Sequence, residues 1–117
     1  MASMRCRHLL IKFSGSRNPV SRRTGESTAN VSADAAQKEL EEFRQKIITE
    51  GCTEEVFAKY AKERSDCGSF REGGDLGDFG PGQMQKQFEE GTKGTEVGKM
   101  SGAILSDSGY HLIFRTA

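Results

Sequence analysis

The chain of 117 residues has no tryptophan, only two prolines and three cysteines, and no long apolar run. The odd number of cysteines and the absence of Cys-x-x-Cys spacing argue against a disulfide framework and a structural zinc site. No stretch is long and apolar enough to cross a bilayer, and the first residues lack the apolar segment of a secretory signal. We therefore expect an intracellular protein, in the cytoplasm, the nucleus or both, with no membrane partner.

The chain also lacks an excess of charge, since 17 basic residues balance 17 acidic ones. Its composition therefore gives no footprint of nucleic-acid binding. The length fits a single domain, residues 1–117, and a hydrophobic fraction of 34% is enough for one modest core.

The residue patterns predict an α+β domain in which helices surround one antiparallel sheet. Alternation in the first strand places Cys6, His8, Leu10 and Lys12 on one face, and in the last strand it places His111, Ile113 and Arg115 on one face. Ser32 and Thr53 are expected N-caps of the first two helices. The predicted strands are Arg5–Phe13, 75–79, 103–105 and 110–115, and the predicted helices are 32–50, 53–64 and 83–90.

The longest irregular segment, residues 14–31, is expected to be a flexible basic loop. Lys12, Arg17, Arg22 and Arg23 place four cations within twelve residues, and no acidic residue occurs before Glu26. Such a loop is either solvated and mobile or an anion clamp, because arginine and lysine both suit phosphate recognition.

A glycine-rich stretch follows the second helix and places Cys67 near an apolar set further along the chain. Six glycines lie between Gly68 and Gly82, which favours a bent surface. If the first and last strands are neighbours, His8 and His111 can both face this cysteine.

Five segments together resemble the parvulin family of peptidyl-prolyl cis/trans isomerases, in the branch directed at phosphorylated Ser/Thr-Pro and lacking a WW domain. They are C-R-H-L-L-I-K from residue 6, S-D-C from residue 65, G-G-D-L-G from residue 73, G-Q-M-Q-K-Q-F from residue 82 and S-D-S-G-Y-H-L-I from residue 106. The resemblance implies a four-stranded antiparallel sheet whose first and last strands are central neighbours. It also implies a cofactor-free monomer whose partners are phosphorylated Ser/Thr-Pro proteins.

The resemblance assigns residues to three parts of a site. The proline pocket is implied to contain Leu76, Met84 and Phe88, with Gln83 and Ser108 near its rim. The polar network is implied to contain His8, Cys67, Ser106 and His111. Phosphate binding is implied for Lys12 and Arg17, and Arg22 or Arg23 could compensate for Asn18, which stands where the phospho-directed branch usually carries a second arginine.

Other interpretations of the same residues remain open at this point. Strand histidines are often ordinary core residues, Cys67 could be a small hydrophobe, and Met84 with Phe88 could be plain core. A cysteine with two histidines also suits a cysteine protease, but no oxyanion signal accompanies them. A metal site lacks ligand spacing. Two functional alternatives remain: an isomerase of general specificity and a phosphopeptide-binding adaptor with little turnover.

Overall fold

Four strands form one antiparallel sheet in the computed structural model, which describes residues 3–117. The strands are β1 (Met4–Ile11), β2 (Asp75–Phe79), β3 (Ile104–Ser106) and β4 (Gly109–Arg115), in the spatial order β2-β1-β4-β3. The helices are α1 (Ala33–Thr49), α2 (Glu54–Arg64) and α3 (Lys86–Lys93), with a short 3-10 helix at Gly68–Glu72. The predicted α+β architecture is confirmed, and β1 and β4 are central neighbours.

The alternation of β1 and β4 divides the interior into two apolar clusters, one on each face of the sheet. Leu9, Ile11, Leu112 and Phe114 face α1 and α2 and form the larger cluster. Cys6 and Ile113 face the opposite way, toward Phe88 on α3, and belong to the smaller cluster. Because side chains on a strand alternate between faces, His8 and His111 lie on the side of the smaller cluster.

The first two helices begin and pack as their sequences predict. Ser32 Oγ accepts a hydrogen bond from Ala35 N, and Thr53 Oγ1 accepts one from Val56 N. Both residues therefore act as N-caps, which satisfy backbone donors that a helix start leaves free. The buried residues of α1 are those of the predicted apolar stripe, Ala36, Leu40, Phe43 and Ile47.

Two elements, β1 and α3, have boundaries that differ from the predicted ones by more than one residue. The first strand ends at Ile11, before Phe13, because Lys12 N donates to the Asp66 side chain and not to a neighbouring strand. The third helix, predicted at residues 83–90, begins at Lys86, runs through Gly91 and ends at Lys93. Gly91 lies so close to the Ile104 side chain that a β-carbon there would clash with it, so its role is close packing against β3.

The basic loop, residues 14–31, contains no helix but is tied to the domain at several points. Val20 and Ser27 form an isolated bridge, Ser14 N donates to Val31 O, and Arg17 N donates to Asp107 O. Within residues 3–117, no helix is long and apolar enough to span a membrane.

Candidate active site

The two histidines lie side by side in the centre of the sheet. The β1–β4 register pairs His8 with Ile113 and Leu10 with His111, so the histidines are diagonal neighbours on one face. Their rings stack with centroids 5.2 Å apart, and the two Nδ1 atoms are 3.0 Å apart. Both side chains are buried. The approach of β2 to His8 requires Gly74, whose carbonyl accepts from His8 N and whose β-carbon would otherwise meet the His8 backbone.

A chain of hydrogen bonds extends from both ends of the histidine pair. His111 Nε2 lies 2.6 Å from Ser106 Oγ, and His8 Nε2 lies 3.1 Å from Ser69 Oγ. Burial, with a smaller contribution from the charge of His8, lowers the pKa of His111 well below its ordinary value. His111 is therefore neutral near pH 7 and carries one N–H, so its two ring nitrogens cannot both donate.

This restriction couples the two ends of the chain. If His111 donates from Nε2 to Ser106, its Nδ1 must accept from His8 Nδ1–H. Ser106 Oγ also accepts from Ser108 N at 3.2 Å. In that arrangement the Ser106 hydroxyl accepts twice and keeps its own O–H free to donate to a ligand.

Cys67 stands at the start of the 3-10 helix, half-buried beside this network. Burial of the thiol opposes ionisation, but His8 and the side chain and backbone of Ser69 outweigh it and lower the pKa of Cys67 to about 6. Most Cys67 is therefore thiolate near pH 7, which places a fixed negative charge at the site. The buried Cys6 thiol behaves in the opposite way, since burial raises its pKa to about 12.

An apolar cavity of about 160 Å³ opens next to the network. It is lined by residues from all four strands, α3 and the connecting segments: His8, Cys67, Leu76, Met84, Gln85, Phe88, Ser106, Ser108 and His111. Phe88 forms its buried floor, with its ring 5.4 Å from that of His8 and 5.0 Å from that of His111, both edge-on. The cavity thus combines an apolar floor with a polar strip along one wall.

The predicted rim residue Gln83 lies outside this lining, and Gln85 takes its place. Gln83 is exposed, and its Oε1 accepts from Gly80 N within the turn before α3. Gln85 Nε2 donates to Ser108 Oγ at 3.0 Å, while its Oε1 accepts from Asp107 N at 2.9 Å. Gln85 therefore joins the start of α3 to the β3–β4 turn. The sequence offers two glutamines flanking Met84, and only the true start of α3 distinguishes them.

Lys12 differs from the other predicted phosphate-binding residues because its side chain is buried. Its Nζ donates to Asn18 O at 3.0 Å and to Val20 O at 2.8 Å, which shapes the basic loop. Burial lowers the pKa of Lys12, with Asp66 opposing this shift and Arg22 adding to it. Two of its three N–H donors are thus already used, and one is left for an anion.

The three arginines of the loop are less constrained. Arg17 and Arg22 are exposed, and Arg23 is half-buried. Within residues 3–117, none of the three forms an ion pair with a carboxylate. The loop therefore presents positive charge without a carboxylate partner. Its backbone bonds to Asp107 and Asp66, which adjoin the cavity residues Ser108 and Cys67, place it beside the cavity.

Asp66, to which sequence reasoning gave no role, connects the loop to the rest of the site. It is buried, and its carboxylate accepts from Ser21 Oγ at 2.7 Å, Arg64 Nη1 at 2.9 Å and Lys12 N at 3.0 Å. Its backbone carbonyl accepts from Arg22 N. The only sequence signal for this role is its position directly before Cys67.

Among residues 3–117, no group of three or more His, Cys, Asp or Glu side chains could hold a metal ion. A larger concavity of about 650 Å³ lies on the outer face of α1. Its lining is mainly charged and amide side chains of that helix and includes no predicted site residue.

Comparison with known proteins agrees with this geometry. Residues 8–117 match the model of the rotamase family, the PPIC-type PPIase domain. The chain is 39% identical over 117 residues to the peptidyl-prolyl cis-trans isomerase NIMA-interacting 1 of Theileria annulata, covering all of this chain and 82% of that protein. It is 42% identical over 112 residues to the isomerase Pin1 of Arabidopsis thaliana, covering 94% and 92% of the two chains.

A solved structure supports the same relation at the level of the fold. The solution structure of TbPIN1 superposes with a TM-score of 0.85 at 50% sequence identity. The match covers 98% of this chain and 97% of that one.

Proposed function

Because this chain belongs to the PPIC-type family of peptidyl-prolyl cis/trans isomerases, we propose that its preferred substrates are phosphorylated Ser/Thr-Pro bonds in proteins. The single observation that carries the substrate class is the uncompensated positive charge of the basic loop beside the apolar cavity. An anchored phosphate would hold the residue before proline while the cavity holds the ring. Rotation is then confined to the bond between them.

The isomerisation requires no cofactor and no net proton transfer. The planar imide is stabilised by resonance, and the barrier to rotation is about 18–20 kcal/mol. A catalyst must bind the twisted form better than either planar form. The cavity floor, with Leu76, Met84 and Phe88, suits a proline ring because it is apolar and partly enclosed.

The thiolate of Cys67 has a physical role that involves no covalent bond. Resonance places negative charge on the carbonyl oxygen in the planar imide, and twisting removes it. A negative charge beside that oxygen therefore destabilises the planar form more than the twisted one. Where His111 donates from Nε2, the Ser106 hydroxyl is free to donate to the substrate on the same wall of the cavity.

The experiment is an isomerisation assay on three matched peptides, pSer-Pro, Glu-Pro and Ala-Pro, with identical flanking residues. Phospho-directed catalysis predicts kcat/KM in that descending order, and the preference should shrink as salt rises because exposed charges are screened. Equal values on all three peptides would leave a parvulin of general specificity. Tight binding of the phosphopeptide without turnover would leave an adaptor.

General specificity is the second candidate because two observations favour it. The Lys12 ammonium donates two hydrogen bonds to the loop backbone and has only one N–H left for an anion. In addition, Asn18 stands where a second arginine is expected. Cytoplasmic or nuclear location and a monomeric state remain predictions. Imaging of the tagged chain and light scattering after gel filtration would test them.

A further inference from the structure

We propose that Arg22 is the second phosphate-binding cation of this site and takes the place of the arginine expected at residue 18, where this chain has asparagine. This inference rests on the proposed phospho-directed function and names the residue that sets its selectivity. The anion would be held between Arg17 on one side of the cavity mouth and Arg22 on the other, with the remaining donor of Lys12 beneath them.

The backbone fixes Arg22 next to the candidate catalytic cysteine. Arg22 N donates to Asp66 O at 2.9 Å, and Asp66 directly precedes Cys67. The Arg22 side chain extends over the residue that follows the cysteine. A β-carbon built on Gly68 would lie 3.6 Å from Arg22 Nε and 3.9 Å from Arg22 Cζ. The guanidinium is therefore held close to the edge of the cavity, because Cys67 lines that cavity.

The charge of Arg22 is placed near Lys12, and no carboxylate neutralises it. Arg22 is one of the groups that lower the pKa of Lys12, although burial is the larger cause. Arg22 is exposed, and within the described range 3–117 it forms no ion pair with a carboxylate. By contrast, Arg5 pairs with Asp75 and Arg7 with Glu54. Arg22 and Lys12 bring two positive charges together near the single negative charge of the Cys67 thiolate, and the net positive potential that results favours an anionic ligand.

The backbone of Arg17 and the side chain of Arg22 lie beside different parts of the cavity wall. Arg17 N donates to Asp107 O at 2.7 Å, next to Ser108, which lines the cavity. Arg22 lies beside Gly68, next to Cys67. A phosphate between them could accept from two guanidinium groups, which suit its oxygens better than point charges do.

Arg23 does not share this position. Arg23 is half-buried, and its Nε is buried without a hydrogen-bond partner within residues 3–117. Arg22 and Arg23 are consecutive residues of one loop with the same charge. Arg23 therefore offers a matched comparison that separates a specific contact from the net charge of the loop.

The test measures kcat/KM on matched pSer-Pro and Ala-Pro peptides for the wild type, Arg22→Gln, Arg23→Gln and the double variant Asn18→Arg/Arg22→Gln. Binding of an inhibitory phosphopeptide by calorimetry gives a second readout, and a thermal melt checks the fold of each variant. We expect Arg22→Gln to reduce the ratio of kcat/KM on pSer-Pro to kcat/KM on Ala-Pro by about ten- to a hundredfold, which is the range of a charge-assisted contact. The affinity for the phosphopeptide should fall by the same factor. Arg23→Gln should change both by less than about threefold, and restoring an arginine at residue 18 should recover most of the loss.

Equal losses in Arg22→Gln and Arg23→Gln would overturn the inference, since net loop charge would then explain selectivity. An unchanged ratio in Arg22→Gln, with a wild type that prefers pSer-Pro, would also overturn it and leave the proposed function standing. A wild type with no preference would instead overturn the proposed function itself, which the Ala-Pro reference reveals before any variant is made.

Discussion

Replacing Asp66 by asparagine should destabilise the domain although the two side chains have nearly the same shape. Asp66 is buried, and three donors from separate parts of the chain point at its carboxylate: Ser21 Oγ, Arg64 Nη1 and Lys12 N. Asparagine has one acceptor oxygen and one NH2 group. Whichever way the amide turns, its NH2 faces at least one of these donors and leaves it without an acceptor.

The magnitude follows from what each donor loses. A hydrogen bond to a charged group contributes about 1.5–3 kcal/mol, and breaking a buried ion pair costs about 3–5 kcal/mol. Arg64 keeps two hydrogen bonds to Glu39, so its loss lies at the low end. We expect Asp66→Asn to lower the free energy of unfolding by about 2–4 kcal/mol, and the melting temperature by roughly 10 °C.

Urea denaturation of the wild type and the variant measures this difference, provided that the slope of the transition stays the same. Asp75→Asn is the matched control because Asp75 also accepts from an arginine, Arg5, but at the surface. That change should cost less than about 1 kcal/mol. A loss of less than about 0.5 kcal/mol in Asp66→Asn would refute the argument that this carboxylate holds the loop to the site.

Three further predictions concern the cavity and its thiol. Alkylation of Cys67 by iodoacetamide should accelerate as pH rises through about 6, because only the thiolate reacts; His8→Asn should shift this midpoint upward, and an unmoved midpoint would exclude His8 as its cause. Cys67→Ala should lose much of kcat/KM while Cys67→Asp keeps part of it, and a covalent adduct seen by mass spectrometry during turnover would contradict the non-covalent mechanism. Changing Met84 and Phe88 together to alanine should reduce kcat/KM by about a hundredfold or more in a protein shown to be folded, because burying the apolar surface of each side chain contributes about 1.5–3 kcal/mol. An unaltered kcat/KM would show that neither residue belongs to the pocket.

Strand alternation predicted the faces on which the two histidines lie, and the family resemblance predicted that their strands are neighbours. The alternation put His8 and His111 on faces that the β1–β4 register then brings together, with the Nδ1 atoms 3.0 Å apart. The stripe of α1 and the caps Ser32 and Thr53 were equally predictable, because they depend on neighbours within a few residues. These features are local, and the antiparallel pairing of the first and last strands was supplied by the family resemblance.

The unpredicted parts of the site depend on contacts between residues distant in sequence. Asp66 gains its role only because the ends of β1 and α2 meet the basic loop there. Lys12 was predicted as a phosphate-binding cation, but nothing in its sequence neighbours shows that its ammonium turns back onto Asn18 and Val20. The choice between Gln83 and Gln85 required the start of α3, and helix boundaries are weakly encoded when a turn rich in glycine precedes them.

The cavity floor is also part of the smaller apolar cluster, and this shared use constrains both stability and catalysis. Phe88 is buried against Phe79 and Ile113 while its ring edge meets both histidines. A change of Phe88 therefore alters the packing free energy and the position of the hydrogen-bonded network together. The basic loop is different, since Arg22 is exposed and touches no apolar cluster. Substitutions at Arg22 should consequently cost little stability, whereas substitutions in the cavity floor are limited to what the core tolerates.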